Sequence, residues 1–290
     1  LAFISRAITI HVSDPILTVT YGGTMPSMLS EPISIRGVRF VNRLFMAPMC
    51  QYSAVDGLPN DWHRRHYVER AMGGVSLVMI EATAVSPEGR ISPLDLGLWN
   101  DAQRDAFRPL VDAVHAAGSR VAVQLAHAGR KASSMVPWRG TGKVPLSEGG
   151  WRVIAPSAIP FDETYDLPHA MANGDMERVE RSFAAAARRA VEAGFDAVEI
   201  HAAHGYLVHQ FLSPLSNERE DGYGGDLEGR SRFLRETVPL VRRALPDSMP
   251  LFMRVSATDW MEGGWNVDEC AEVINAVKAD GVDFVDVTSG

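Results

Sequence analysis

The stretch Ala197-Val198-Glu199-Ile200-His201-Ala202-Ala203-His204-Gly205-Tyr206 decides how this chain is interpreted. Its first four residues form a nearly apolar run, which is typical of a strand buried in a parallel sheet. Two imidazoles and a phenol follow at the carboxyl end of that strand, where a parallel α/β barrel carries its chemistry. An imidazole can donate to a substrate oxygen and a phenol can deliver a proton. We therefore take His201, His204 and Tyr206 as candidate catalytic residues.

Outward from this stretch, apolar strand-like runs alternate with amphipathic helical patterns. The runs predict six strands, at residues 44–49, 77–84, 120–126, 197–202, 250–256 and 283–288. Gly118, Gly194 and Gly281 stand where three of the intervening helices should stop. Such alternation predicts a parallel sheet, and no G-x-G-x-x-G motif follows the first strand to favour an open dinucleotide-binding sheet. We therefore predict a TIM (β/α)8 barrel, of which about six βα units are present.

Three further segments complete the predicted domain organisation. Residues 33–40 alternate about Gly37 and predict a hairpin before the first strand. Residues 130–176, inserted after the third strand, hold five prolines and are too long for a connector, so we expect a lid or subdomain. Residues 1–28 lack the long apolar segment of a signal peptide. We expect them to be a disordered upstream extension of a barrel domain at residues 29–290.

Composition restricts the partners and the compartment. The formal net charge of −8 argues against nucleic acid or an anionic membrane as the main partner. The two cysteines, Cys50 and Cys270, are too few for a disulfide framework and favour a reducing cytoplasm. No apolar run approaches the length of a membrane span. We expect a cytoplasmic protein that acts on small molecules.

Polar residues at the ends of other predicted strands each allow two interpretations. Cys50 could be a small buried filler, and the amide of Gln124 could have a partner within the core. Arg254 could form a salt bridge with Glu199 or Glu81. Their convergence at successive strand ends favours a binding site instead, with an amide for a flat heterocycle and a cation that faces an electron-rich cofactor.

The His201/His204 pair also has a metal alternative, because histidine is a common metal ligand. Two histidines three residues apart at a strand end do not point alike, and the motif has no acidic neighbour to complete a site. We therefore predict no metal.

Several motifs together resemble the old yellow enzyme family. They are Ala47-Pro48-Met49, residues 124–130, residues 201–207, the segment Phe211-Leu212-Ser213-Pro214-Leu215-Ser216-Asn217-Glu218-Arg219, Tyr223-Gly224-Gly225 and Arg230. Cys50 and the histidine pair are similar to its "thermophilic-like" class, which includes xenobiotic reductases. The resemblance covers residues 29–290. It implies an FMN-dependent TIM barrel that uses NADPH or NADH to reduce activated C=C bonds of enones, enals or nitroalkenes, as a homo-dimer or tetramer.

The resemblance also implies roles for individual residues on the flavin side of the site. The expected flavin contacts are Pro48, Met49, Cys50, Ala82, Gln124 and Arg254. Gln124 would bond the pyrimidine edge of the ring, and Arg254 would place positive charge where negative charge develops. Cys50 would lie against the flavin and tune its potential.

On the substrate side, the resemblance assigns the residues of the opening motif. His201 and His204 would hold the carbonyl or nitro oxygen of the substrate, with help from Tyr52. Tyr206 would protonate the α-carbon opposite the face that receives hydride from flavin N5.

Two alternatives stay open at this point. In the family, the loops after strands seven and eight hold the FMN phosphate, and they would lie beyond residue 290, so we expect a C-terminally truncated chain. The first alternative is an FMN and iron–sulfur dienoyl-CoA-type reductase, although Cys50-Gln51-Tyr52 argues against it. The second is an inactive incomplete barrel.

Overall fold

The computed structural model describes residues 28–289. The predicted extension at residues 1–28 lies outside the described residues except for Met28. The elements, in chain order, are β1 Ile33–Ile35, β2 Val38–Phe40, β3 Phe45–Met46, α1 Asp61–Met72, β4 Leu77–Ala84, α2 Asp101–Ala116, β5 Arg120–Ala126, β6 Ile154–Ala155, β7 His169–Ala170, α3 Asn173–Ala193, β8 Ala197–Ala202, α4 Leu207–Leu212, α5 Leu227–Ala244, β9 Leu251–Ser256, α6 Val267–Asp280 and β10 Phe284–Thr288.

The six predicted strands form one parallel sheet in the order β10-β9-β8-β5-β4-β3, curled into part of a barrel. Three of them have the predicted bounds. The first is shorter than predicted, since β3 pairs with β4 only at Phe45 and Met46. Pro48 offers no N–H to a ladder, and the chain beyond β3 turns into the loop that carries Cys50.

Helices pack against the outer face of the sheet through their apolar stripes. In α2 the stripe contains Phe107, Leu110 and Val114, all of which are buried. The predicted stops are confirmed. α3 ends at Gly194 with a φ of 95°, and α6 ends at Gly281 with a φ of 117°. A left-handed residue at these positions is nearly free of strain only for glycine.

A second core lies inside the curl of the sheet, at the amino ends of the strands. The rings of Phe45 and Phe252 stack at 6.2 Å, and Phe252 meets Phe284 at 4.8 Å. The predicted hairpin is confirmed, because β1 and β2 pair antiparallel. The buried ring of Phe40 in β2 joins this inner core. The hairpin therefore closes the amino end of the curl and leaves the carboxyl end for the site.

Contacts across its turn hold the hairpin in place. The Gly37 N–H donates to the Ser248 carbonyl at 2.9 Å, and a Cβ at Gly37 would lie only 2.7 Å from the Cβ of Ser248. Arg36 forms an ion pair of 2.7 Å with Asp283, which immediately precedes β10.

The segment at residues 130–176 lies over the carboxyl ends of the strands. It contains the short parallel pair β6 and β7. Its Trp138 ring meets Tyr52 edge-on at 5.9 Å, and the indole N–H of Trp151 donates to the Glu88 carbonyl at 2.9 Å. That this segment acts as a lid stays a prediction. Among the described residues, no helix is both long enough and apolar enough to cross a membrane.

Candidate active site

The opening motif forms a tight turn that gathers its three polar rings. His201 lies within β8, and the turn after it uses left-handed backbone at His204 (φ 60°) and Gly205 (φ 68°). The His201 ring centroid lies 5.1 Å from that of His204 and 4.9 Å from that of Tyr206. The three predicted catalytic side chains therefore share one site.

The local contacts set the charge and the tautomer of the histidines. The backbone N–H of Ala203 donates to Nδ1 of His201 at 3.2 Å, which places the ring proton of a neutral His201 on Nε2. Burial holds the pKa of His201 well below its usual value, and burial together with the charge of Arg254 lowers the pKa of His204 to about 4. Both rings are therefore neutral near pH 7 and can act as N–H donors.

Tyr206 and the neighbouring thiol keep their protons. Burial raises the pKa of the Tyr206 phenol well above its usual value and does the same for the Cys50 thiol. Burial raises the pKa of Tyr52 as well. Cys50, Tyr52 and Tyr206 pack around one small apolar cluster that contains Ala82. An uncharged Cys50 in such surroundings is unsuited to attack as a thiolate.

Gln124 has a partner within the sheet. Its amide nitrogen donates to Oε1 of Glu199 at 2.8 Å, and both residues are almost completely buried. Burial, with a smaller effect from Asp286, raises the pKa of Glu199 to about 8. The Glu199 carboxyl therefore keeps a proton near pH 7. The structural interpretation of Gln124 holds, and it leaves room for a ligand contact at the amide oxygen.

Arg254 lies inside the curl of the sheet, and its partner differs from those expected. Its Nε lies 3.3 Å from Oδ2 of Asp286, so the predicted alternative of a bridge to Glu199 or Glu81 is wrong. Asp286 was not predicted as a partner, because only the pairing of β9 with β10 places it beside Arg254. A long contact of 3.5 Å joins the guanidinium to the Pro48 carbonyl, while the buried Nε makes no hydrogen bond with the described residues. The cation is thus incompletely satisfied.

Glu81 was not predicted as a site residue, yet it supports the loop after β3. Its carboxylate accepts the backbone N–H of Gln51 at 2.6 Å and the Tyr67 hydroxyl at 3.2 Å. Nε2 of His63 lies 3.3 Å from its other oxygen. The sequence offered one signal for this role, because Glu81 is an acidic residue within the apolar run of β4. Through Gln51 this carboxylate fixes the backbone beside Cys50.

A second unpredicted group anchors the catalytic turn. Nδ1 of His209 accepts the Gly205 N–H at 3.1 Å, and its Nε2 donates to Asp259 at 2.9 Å. Asp259 also accepts the Ser213 hydroxyl at 2.5 Å. Since the hydroxyl donates to the acid and not to the imidazole, this is not a nucleophilic serine triad. It ties the turn of His204 and Tyr206 to the loop after β9.

The remaining predicted contacts also lie at the carboxyl ends of the strands. Pro48 and Met49 follow β3, with Met49 largely exposed, and Ala82 is buried in β4. Near them lie an amide, an incompletely satisfied guanidinium and small apolar side chains. That donor set fits a flat, electron-rich heterocycle with a polar edge, so a flavin ring suits the residues present.

The fold and this site together define a class, an α/β-barrel oxidoreductase built for a flavin. Over residues 28–290 the chain matches the NADH:flavin oxidoreductase / NADH oxidase family, and it belongs to that family, the old yellow enzymes. The predicted family, the TIM-barrel fold, and the FMN and NAD(P)H cofactors are thereby confirmed.

Similar proteins agree with this assignment. The chain is 45% identical over 290 residues to NADH:flavin oxidoreductase FG08077 of Gibberella zeae, covering 95% of this chain and 70% of the relative. It is 46% identical over 268 residues to an NADPH dehydrogenase of a Geobacillus species, covering 92% and 74%.

Solved structures show the same fold. The old yellow enzyme homologue of Zymomonas mobilis superposes with a TM-score of 0.78 at 30% identity, over 90% of this chain and 73% of that one. A 2-naphthoyl-CoA reductase gives 0.81 at 28% identity, over 90% of this chain but 40% of that longer one. The chain is therefore an NAD(P)H-dependent flavin oxidoreductase of the NADPH dehydrogenase type. The roles of single residues, the cytoplasmic location and the homo-oligomeric state stay predictions.

Proposed function

We propose that this chain is an ene-reductase that reduces an activated C=C bond conjugated to a carbonyl or nitro group. The observation that carries the proposal is the pairing of two neutral imidazoles with a protonated phenol at one strand end. Such a set holds an oxygen and delivers a proton beside it. FMN, when bound and reduced by NADPH or NADH, supplies the hydride.

His201 and His204 bind the substrate oxygen in this proposal. The Ala203 N–H fixes His201 with its proton on Nε2, so the ring meets the oxygen as a donor without rearrangement. Donors that are set in place before the reaction stabilise the negative charge that grows on the oxygen as the alkene accepts hydride. Tyr52, which packs against the same apolar cluster as Tyr206, assists in holding that oxygen.

Tyr206 delivers the proton to the α-carbon. Its raised pKa means that the phenol is fully protonated at neutral pH and gives up its proton only as carbanion character develops. Its hydroxyl is afterwards reprotonated from solvent. The His209–Asp259 pair fixes the turn that orients this ring.

On the cofactor side we propose six contacts: Pro48, Met49, Cys50, Ala82, Gln124 and Arg254. The incompletely satisfied guanidinium of Arg254 supports this assignment, because a buried cation without full hydrogen bonding is costly unless a ligand completes it. The neutral thiol of Cys50 acts on the ring by contact and not by bond formation.

Separate measurement of the two half-reactions tests the proposal. In the FMN-loaded enzyme, His201→Ala and Tyr206→Phe should slow reduction of cyclohexenone by about 100-fold or more. Flavin reduction by NADPH should change much less. The matched control is His169→Ala, an exposed histidine on β7. Equal loss in both half-reactions would show that these residues serve the flavin or the fold.

A second candidate is the FMN and iron–sulfur dienoyl-CoA-type reductase, and the likeness to a 2-naphthoyl-CoA reductase supports a CoA thioester as its substrate. A visible spectrum of the purified protein separates the two. Flavin alone gives a yellow protein, whereas a cluster adds a broad brown shoulder. A colourless protein that cannot be loaded with FMN would contradict both candidates and favour the inactive barrel.

A further inference from the structure

A cavity of about 640 Å³ opens beside the histidine and tyrosine rings. Its lining includes Arg130, Lys131, Phe161, His204, Tyr206 and Trp260. The two cations come from the turn after β5, and Phe161 comes from the segment that covers the strand ends. The cavity therefore adjoins the proposed substrate site at His204 and Tyr206, and it adds Arg130, Lys131 and Phe161, to which that function gives no role.

The two cations in this cavity are held by backbone carbonyls of the described residues and not by ion pairs. Within residues 28–289, neither Arg130 nor Lys131 forms an ion pair with a carboxylate; both donate to backbone carbonyls instead. Arg130 donates to the carbonyls of Ile159 and Pro160 at 3.4 and 3.3 Å, and Lys131 to that of His204 at 2.9 Å. The Nε of Arg130 is buried without a hydrogen bond among these residues.

The acid that faces this pair is already engaged. Asp259 lines the same cavity, but its oxygens accept from His209, Ser213 and the backbone of Trp265. Burial lowers the pKa of both Arg130 and Lys131. The charge of Asp259 opposes this for Arg130, and the charge of Arg130 lowers the pKa of Lys131 further. No carboxylate among the described residues pairs directly with either cation, so the burial of the two charges is only partly offset.

Apolar surface completes the cavity. The Lys131 ammonium lies 4.5 Å from the Phe161 ring centroid, and Leu215, Trp260 and Met261 form the rim. Trp260 is 75% exposed and Met261 67% exposed, so this rim is open to a ligand. Positive charge inside and apolar surface around it match an organic anion.

We propose that this cavity is an anion subsite, in which Arg130 and Lys131 hold a phosphate or carboxylate carried by the molecule whose reacting end lies at His201, His204 and Tyr206. The proposal rests on the ene-reductase function. The anion has two sources with one chemistry, the phosphates of the hydride donor or an acidic group on the alkene.

Equilibrium binding to the FMN-loaded enzyme tests the subsite without turnover. A 4-hydroxyphenyl carboxylic acid and its methyl ester would be titrated while flavin absorbance is followed. The acid should bind the parent more tightly than the ester, and Arg130→Gln should weaken acid binding about tenfold and leave the ester unchanged. Lys131→Arg should retain acid binding, and Lys131→Gln should lose it. The control is Lys143→Gln, a half-exposed lysine of the same segment that pairs with Asp166.

Two further arms identify the source of the anion. If Arg130→Gln raises the KM for NADPH far more than the KM for NADH, the subsite binds the extra phosphate of the hydride donor. If Arg130→Gln raises the KM only for acidic alkenes, the subsite binds the substrate. Rising salt should abolish the acid preference of the parent enzyme, which tests the idea even where a variant does not fold.

Two results would overturn the subsite. One is equal weakening of acid and ester. The other is that Arg130→Gln only weakens FMN binding and leaves riboflavin binding unchanged. The cations would then serve the phosphate of the cofactor. If the parent enzyme reduced alkenes only slowly but still bound the acid more tightly than the ester, the result would count against the proposed function and not against the subsite.

Discussion

Replacing Glu199 with glutamine should make the protein more resistant to alkaline pH. The Glu199 side chain is almost fully buried, and burial raises its pKa in the folded protein to about 8, against a reference of 4.5. Between those values the folded protein holds a proton that the unfolded chain has lost. The free energy of unfolding therefore falls as pH rises through this window.

The structure bounds the size of the effect. The gap between a pKa of about 8 and one of 4.5 corresponds to at most about 5 kcal/mol. The observable effect should be smaller, because a cavity of about 130 Å³ lined by Glu199 and Asp286 lets water approach the ionised carboxylate. Glu199→Gln keeps an acceptor for Gln124 and removes the titration. Its advantage over the parent should grow by about 2 to 5 kcal/mol from pH 5 to pH 9.

Guanidinium unfolding at pH 5, 7 and 9, followed by far-ultraviolet circular dichroism, measures this difference. Glu220→Gln is the matched control, since Glu220 is exposed and its replacement should shift stability equally at each pH. A constant gap between Glu199→Gln and the parent across this range would refute the reasoning. It would mean that Glu199 is ionised in the fold and that Gln124 donates to a carboxylate.

Three other substitutions test separate parts of the site. Cys50→Ala should shift the flavin reduction potential, because it removes a side chain that contacts the ring. It should leave a yellow, active enzyme, because the uncharged thiol forms no bond in the reaction; loss of alkene reduction with FMN retained would contradict this. Asp259→Asn should weaken the hold of His209 on the catalytic turn and lower kcat for the alkene about tenfold, with the KM for NADPH unchanged; a change in FMN affinity instead would argue against a positioning role. Glu81→Gln should lower stability by about 1 to 3 kcal/mol, measured by denaturant unfolding, because the groups around it, including the Gln51 N–H, would lose a charged acceptor; unchanged stability would show that water replaces it.

The sheet was largely predictable because its strands are apolar on both faces and the helices between them end at glycines. Strands at residues 77–84, 120–126 and 197–202 have their predicted bounds. The first strand could not be bounded in this way, since its length depends on how far β4 runs beside it. The hairpin turn was predicted about Gly37, yet the left-handed residue is Arg36, with a φ of 48°.

In the site, too, the contacts that are local in sequence were predicted and the contacts between distant segments were not. His201, His204 and Tyr206 are neighbours in sequence, so a motif was enough to predict that they share a site. The supporting contacts join distant segments. Glu81 and the Gln51 N–H are separated by 30 residues, His209 and Asp259 by 50, and Lys131 and the His204 carbonyl by 73. Such pairings depend on the order of strands in the sheet, which no single motif encodes.

The hairpin that closes the amino end of the curl has a consequence for how the chain folds as it is synthesised. Its Arg36 is held by Asp283, 247 residues later. At roughly 5 to 20 residues per second, the ribosome needs on the order of 10 to 50 seconds to reach that partner. During this interval the inner aromatic core lacks Phe284, and Phe40 and Phe45 have only part of their final cover. We therefore expect the nascent chain to be most prone to aggregation, or to chaperone binding, before β10 has been translated.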